Sequence, residues 1–238
     1  MTGATRVMDK AEFDSFADEY RALHARNIAA SGENPEFFAE YKIRDIAGHL
    51  ERVGAHARQL LDFGAGVGNS VPWVRKHMPD ASLTCVDVSE KSLQVASDRF
   101  PGLANYVPFD GERLPFTDDS FDLAFAMCVF HHIPFSEHVR LLQELARTLR
   151  HDGALVIYEH NPLNPLTVKA VNDCEFDVNA KLITARQLRQ TCLDAGFRRV
   201  EIRYRIFFPH ALAALRRFEK YLIGVPFGAQ YAIYAYRQ

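Results

Sequence analysis

Apolar positions recur at helical spacing along the first fifty residues. Phe13, Phe16, Tyr20 and Leu23 fall on one stripe and Phe38, Tyr41, Ile43 and Ile46 on another. Ser31-Gly32-Glu33-Asn34-Pro35 interrupts them, so two helices are expected ahead of the first strand. From residue 59 the period changes. Short apolar runs at 59–63, 82–87, 105–109, 121–130 and 154–158 alternate with helical segments at 71–77, 89–100 and 135–150. Strands separated by helices pair in parallel through right-handed crossovers, which predicts an α/β fold with a doubly wound sheet. Residues 161–183, with Pro162 and Pro165, are too long for an ordinary connection and too polar in their second half for a core strand. They read as a functional insertion before a helix at 184–195 that Gly196 ends. The chain closes with a strand at 200–208, an amphipathic helix at 211–223, a turn at Gly224-Val225-Pro226 and a strand at 229–236. That last strand, returning soon after its neighbour, is expected to run antiparallel to it. The 211–223 helix carries Ala211, Leu215, Phe218 and Leu222 on one stripe, and packing of that stripe on the sheet is its simplest reading; a lid or a membrane-surface contact is the alternative.

Composition narrows the function classes. A chain of 238 residues with 48% hydrophobic and 24% charged side chains is long enough for one well-buried core. We expect a single domain over 1–238, with a helical cap at 1–53, a core at 54–160 and an acceptor-side region at 161–238. The formal net charge is −2 and Lys and Arg are scattered in pairs, so no basic stripe offers itself to nucleic acid. The four cysteines, Cys85, Cys128, Cys174 and Cys192, lack C-x-x-C spacing, which argues for a reducing cytoplasm and against a disulfide or zinc framework; no metal is expected. The first twenty residues are polar, and no apolar stretch approaches the ~20 residues that cross a bilayer, so no stable membrane insertion is expected. Oligomeric state is left open.

The segment Leu60-Leu61-Asp62-Phe63-Gly64-Ala65-Gly66-Val67-Gly68-Asn69 places glycines at alternate positions between a buried strand and a helix. Glycine there permits a sharp turn and the approach of a ligand to main-chain atoms. A dinucleotide fingerprint would need glycine at position 69, where Asn69 stands. Asp62 would also repel a pyrophosphate, whereas it suits an ammonium group.

This D-x-G-x-G-x-G form resembles motif I of the class I S-adenosylmethionine-dependent methyltransferases, and the resemblance continues in order over about residues 59–160. Thr84-Cys85-Val86-Asp87-Val88-Ser89 resembles the end of that family's second strand, where an acid takes the ribose hydroxyls; Asp87 matches it. Val107-Pro108-Phe109-Asp110-Gly111-Glu112-Arg113-Leu114-Pro115-Phe116 resembles the segment whose Asp meets the adenine amino group, which implies that role for Asp110 and a backbone contact for Gly111. Met127-Cys128-Val129-Phe130-His131-His132-Ile133 resembles the fourth strand and the loop bordering the transferred methyl group. Leu149-Arg150-His151-Asp152-Gly153 resembles the turn into strand five, with His151 and Asp152 in place of the usual Pro-Gly. The resemblance implies a Rossmann-like, mostly parallel seven-stranded sheet with an antiparallel last strand, N-terminal helices and an insertion before the last strand. It implies S-adenosyl-L-methionine as cofactor, held by Asp62, Gly64, Ala65, Gly66, Asp87, Val88, Asp110, Gly111 and Met127. Taken singly, Asp87 also suits a cap before Ser89, and Asp110 a cap of the turn at Gly111.

Methyl transfer from a sulfonium needs alignment and exclusion of water, and a base only where the acceptor carries a proton. Candidates for that base stand at the ends of strands four and five: His131, His132, Glu159 and His160, each of which also suits a turn-packing or acceptor-binding role. Phe16, Tyr20, Phe37, Phe38 and Tyr41, with Lys42, suit either a cover over the cofactor or ordinary core packing. The reading is a methyltransferase acting on O or N of a small-molecule acceptor, with a weak association to glycan- or lipid-linked biosynthesis. Two alternatives stay open: a non-catalytic binder of S-adenosylmethionine or its demethylated product, and an NAD-dependent oxidoreductase on a similar fold.

Overall fold

A computed structural model of the chain describes residues 32–174 and 177–237. The first expected helix, with Phe13, Phe16, Tyr20 and Leu23, lies outside them. Seven strands form one sheet: β1 Gln59–Phe63, β2 Ser82–Asp87, β3 Asn105–Pro108, β4 Phe121–Met127, β5 Leu149–His160, β6 Arg199–Arg205 and β7 Gln230–Tyr236, in the order β3-β2-β1-β4-β5-β7-β6. β7 alone runs antiparallel to its neighbours β5 and β6. The expected Rossmann-like mixed sheet with an antiparallel last strand is the observed one. Helices α1 Pro35–Val53, α2 Val71–His77, α3 Glu90–Arg99, α4 Phe135–Thr148, α5 Pro165–Asn172 and α6 Ala185–Asp194 flank it.

Successive side chains of a strand point to opposite faces, and the core divides accordingly. Leu61, Phe63, Leu155 and Ile157 bury one face against Leu141, Leu142 and Leu145 of α4 and Leu188 and Cys192 of α6. Leu60, Leu83, Phe125, Val156 and Tyr158 bury the other against Ile43 and Ile46 of α1 and Val71 and Val74 of α2. Near-continuous burial along β1, β2 and β4 is what a parallel sheet covered on both faces requires. The order of strands reverses at β1, so the carboxyl ends of β1 and β4 border the crevice where such sheets take ligands.

Asn34 starts α1 by accepting a 2.8 Å hydrogen bond from the Phe37 amide, and Pro35 occupies the first turn. A carboxylate fixes this helix on the sheet. Asp45 accepts hydrogen bonds from Tyr158 Oη at 2.7 Å and Tyr234 Oη at 2.9 Å, and pairs with Arg205, whose Nε lies 2.7 Å away. Burial would raise the Asp45 pKa, but Arg205 and the two tyrosine hydroxyls outweigh it and hold the group below its ordinary value. One side chain on α1 thereby ties together β5, β7 and β6.

Three segments depart from the sequence expectation. The strand expected at 121–130 stops at Met127, because Cys128 takes a left-handed φ of 60° and the next residues turn into a short 3-10 helix, Phe130–His132. β5 begins at Leu149 rather than 154: Leu149 pairs with Phe121 and Ala154 with Leu123, so residues 150–153 bulge within the strand instead of forming a turn before it. The 211–223 helix is a 3-10 segment, His210–Tyr221, kinked at Leu212, and its apolar stripe does not pack on the sheet: Leu215 and Phe218 are 38% and 43% exposed. Its buried anchor is instead Glu219, which accepts from the amides of Phe207 and Phe208 and from Tyr41 Oη.

Replacing Asp45 by Ala leaves a buried guanidinium and two buried hydroxyls without their acceptor, and should lower unfolding free energy by about 3 kcal/mol in urea titration. A carboxylate with a depressed folded pKa stabilises above its unfolded pKa and loses that contribution as pH falls. The gap between wild type and Asp45→Ala should therefore be full at pH 7 and shrink through the acid range.

Candidate active site

The glycine loop follows β1. Gly64 and Ala65 donate to the carbonyl of Val86 at 2.8 and 3.1 Å, which draws the loop across the end of β2. Gly64 (φ 73°) and Gly66 (φ 51°) both occupy the left-handed region, for different spatial reasons. A Cβ on Gly64 would lie 2.6 Å from the Val129 side chain, so this glycine lets the loop after β4 pack against the loop after β1. A Cβ on Gly66 would meet no atom within 4 Å, so its main chain faces open space.

Two buried acids border that space. Asp87 ends β2; its Oδ2 accepts the Gly66 amide at 2.8 Å and its Oδ1 accepts the Ser89 amide at 2.9 Å, so it shapes the glycine loop and caps the turn into α3. Asp62, on β1, accepts a hydrogen bond from Ser70 Oγ, and burial pushes its pKa up to about 7 against the effect of that bond. Val88 is buried just after β2, and Met127 is the last residue of β4. Asp110 is exposed and caps a turn, accepting the Glu112 amide at 2.8 Å and the Arg113 amide at 3.0 Å; these bonds lower its pKa. Arg140 of α4 donates to the carbonyl of Gly111 at 3.0 Å and holds this turn against the body of the domain.

A second polar group lies past the ends of β4 and β5. Glu159, 1% exposed, accepts the amides of Val129 at 3.0 Å and Phe130 at 2.7 Å on one oxygen and His131 Nδ1 at 2.6 Å on the other. Burial opposes charge on both partners, but their mutual attraction outweighs it: Glu159 is held below the carboxylate range and His131 is pushed up to about 10. Asp177, from the 161–183 insertion, places Oδ1 3.5 Å from His131 Nε2 and 3.4 Å from His132 Nε2. Burial, then the charge on His131, pushes His132 down to about 4. His160 stacks near His131, with ring centroids 5.2 Å apart. The four sequence candidates therefore gather in one place, with Glu159 turned inward to the backbone and His131 and His132 turned toward Asp177.

Asp177 and Arg140 are the members that residue-by-residue reading did not assign to these sites, and Lys42 was read only as part of a cover or of the core. Lys42 of α1 is buried and places Nζ 3.2 Å from Sγ of Cys128, the residue with positive φ after β4. Burial alone would raise the Cys128 pKa, but Lys42 and His160 outweigh it and bring the thiol down to about 7. Of the N-terminal aromatics, Tyr41 and Phe37 face the 3-10 segment at Glu219 and Arg216, while Phe16 and Tyr20 lie outside the described residues.

Strand order, an open glycine loop and acids at the ends of β1 and β2 are the arrangement expected of a class I S-adenosylmethionine-dependent methyltransferase domain. Residues 61–157 match the family described as methyltransferase domain. It is 29% identical over 164 residues to a demethylmenaquinone methyltransferase of Thermotoga maritima, a match covering 69% of this chain and 66% of that one. It is 27% identical over 184 residues to phthiotriol/phenolphthiotriol dimycocerosates methyltransferase 1 of Mycobacterium ulcerans, covering 75% of this chain and 63% of that one. The chain thus spans slightly under two thirds of the length of either relative. Among solved structures, a possible histamine N-methyltransferase of Thermotoga maritima shares the fold with a TM-score of 0.68 at 20% identity, over 96% of this chain and 99% of that one. A phosphoethanolamine N-methyltransferase of Haemonchus contortus, solved with S-adenosyl-L-methionine, superposes with a TM-score of 0.64 at 16% identity, over 99% of this chain and 60% of that one.

The residues present fit that cofactor. Gly66 leaves a cradle that a Cβ would narrow, and two buried acids beside the loop suit an ammonium and a ribose diol better than a pyrophosphate. The two glycines should separate experimentally. Gly64→Ala meets Val129 and should lose both fold stability, by more than about 2 kcal/mol, and cofactor binding. Gly66→Ala carries only the cost of a left-handed alanine, about 1 kcal/mol, yet should weaken S-adenosylhomocysteine binding at least roughly tenfold. Thermal melts and calorimetry on the two variants check this.

Proposed function

We propose that the chain transfers a methyl group from S-adenosylmethionine to an oxygen or nitrogen of a small-molecule acceptor that is glycan- or lipid-linked, and that it does so in the cytoplasm. The observation that carries this reading is the juxtaposition of two unlike polar groups at the ends of adjacent strands. The acids Asp62 and Asp87 border the glycine loop, and His131, His132 and His160 gather with Asp177 past β4 and β5. An empty cofactor-binding module would not need the second group.

When bound, S-adenosylmethionine supplies an electrophilic methyl carbon on a sulfonium. The chain's own contribution is alignment. In this reading Asp62 meets the ammonium end, Asp87 the ribose, and Asp110 with the Gly111 backbone the adenine, with Val88 and Met127 lining the same site. Glu159, whose oxygens already accept three donors, is a positioning residue that fixes the loop 129–131 and the His131 ring. His132 and His160 are then the groups to hold an acceptor and receive its proton where it has one. The buried loops exclude water, which would otherwise compete with the acceptor.

An apolar rim supports a tailed acceptor. Leu163, Leu166 and Phe227 are 52%, 77% and 66% exposed. Asn161 and Asn164, just after His160, bind the carbonyls of Pro226, Gly228 and Phe227, so this rim adjoins the histidine group. The names of two relatives, acting on demethylmenaquinone and on phthiotriol dimycocerosates, agree with it. Among the described residues no helix is long and apolar enough to cross a membrane, so a tail would be met at this surface.

Calorimetric titration with S-adenosylmethionine, S-adenosylhomocysteine and NAD tests the reading first. Micromolar binding of the first two and none of NAD is expected, with Asp87→Ala losing roughly a hundredfold or more while remaining folded by circular dichroism. Labelled methyl should then move to phenols or alcohols bearing an alkyl or glycan substituent. Tight NAD binding, or cofactor binding without transfer to any member of a broad acceptor panel, would overturn it.

A further inference from the structure

The histidine group has the composition and spacing of a metal centre. His131, His160 and Asp177 each offer a ligand atom, and these atoms lie within 4.8 Å of one another. Two imidazoles and one carboxylate are the donor set of catalytic sites that keep a coordination position open for water or substrate.

One ligand pair, His131 Nε2 and Asp177 Oδ1 at 3.5 Å, is spaced close to the edge of a coordination tetrahedron, and all three ligand atoms lie within 4.8 Å. Asp177 Oδ1 stands 3.5 Å from His131 Nε2 and 3.4 Å from His132 Nε2, longer than a charge-assisted N–H···O bond of about 2.7–2.9 Å. Ligands at about 2.0–2.1 Å from a tetrahedral ion are separated by about 3.3–3.4 Å, the edge of that tetrahedron. His131 also has the support that a metal-bound imidazole commonly has. Its Nδ1 faces Glu159 at 2.6 Å, which leaves Nε2 pointing at Asp177, and Glu159 is itself fixed by two backbone amides. The carboxylate–histidine pair is buried, while His160 and Asp177 are half-buried, so the group reaches from the core toward solvent.

We propose that His131 Nε2, His160 and Asp177 Oδ1 bind one divalent ion of the zinc type, with a position left open to an acceptor oxygen and His132 beside it. This rests on the methyltransferase reading for its role but not for its existence. In that role the ion polarises an acceptor hydroxyl. The O–H proton passes to His132, the C–S bond of the sulfonium breaks as the C–O bond forms, and S-adenosylhomocysteine leaves as a neutral thioether. The proposal revises the expectation that the chain binds no metal. It also gives the 161–183 insertion a task, since Asp177 is the ligand that segment carries to the ends of β4 and β5.

The test uses the full chain, stripped with chelator and dialysed, titrated with Zn(II) by calorimetry and with Co(II) by visible absorption. One equivalent of Zn(II) at micromolar affinity or tighter, with cobalt d–d bands of four- or five-coordination, is expected. His160→Ala and Asp177→Asn should each weaken Zn(II) binding at least roughly tenfold. Both variants should still bind S-adenosylhomocysteine like the parent, which shows that they are folded. No saturable binding, or binding that neither variant weakens, overturns the metal site and leaves a proton-bonded cluster. Loss of S-adenosylhomocysteine binding by the parent chain would instead overturn the methyltransferase reading and leave the metal result legible.

Discussion

The carboxylate of Glu159 is the constraint on which the proposed catalytic end depends. It sits at the end of a central strand, fully buried, and accepts two backbone amides and an imidazole. A buried carboxylate is tolerated only when its lone pairs are occupied, so the chain from 129 to 131 must bring its donors inward. That turn in turn requires Cys128 to adopt a left-handed φ, a conformation that costs a non-glycine residue about 1 kcal/mol. The Cys128 amide bonds to the Tyr158 carbonyl at 2.8 Å and its thiol to Lys42, which offsets that cost. Turned inward, Val129 lies against Gly64, and the geometry of the acceptor loop becomes a condition on the cofactor loop.

The two halves of the site are thus coupled through packing and not through a shared ligand. Asp87 draws Gly66 toward β2, Val129 fills the space left by the absent Cβ of Gly64, and Arg140 ties the 110–113 turn to α4. Each contact joins a loop that follows one strand to an element that follows or ends another. A parallel sheet delivers those loops to one edge, and these few contacts convert that proximity into a fixed relative position.

The glycine loop and its two acids were legible in the sequence because their pattern is local. Gly64, Gly66 and Asp62 fall within five positions, Asp87 follows an unmistakable apolar strand, and the order of these segments implied both fold and cofactor. The resemblance placed Asp110 well along the chain but could not show that it caps its own turn. On the acceptor side, His131, His132, Glu159 and His160 were legible as candidates but not in their relations: which carboxyl oxygen meets which ring depends on the register of β4 on β5. Asp177 was hidden in an irregular insertion, since no periodicity marks a side chain that arrives from a loop. The 211–223 segment was misread because its stripe of apolar residues has helical spacing. The buried contact is Glu219, a polar residue on the other side of that pattern, whose partners lie in 207–208 and at Tyr41.

Helix α1 shows how a site can be sorted electrostatically by one element. Lys42 and Asp45 stand one turn apart on the buried side of the helix. Asp45 gathers Arg205 and two tyrosines on the sheet face, away from the site, while Lys42 reaches the end of β4. A lysine there would be costly to bury without compensation, and the thiol of Cys128 is a weak acceptor. Lys42 lowers the cost of ionising the buried Asp62, against burial and the neighbouring charge of Asp87. Lys42 and Asp62 therefore attract one another across the crevice. That polarity suits a zwitterionic ligand end, with its ammonium toward the acids and its carboxylate toward the lysine, and it disfavours a dianionic pyrophosphate lying over the same acids.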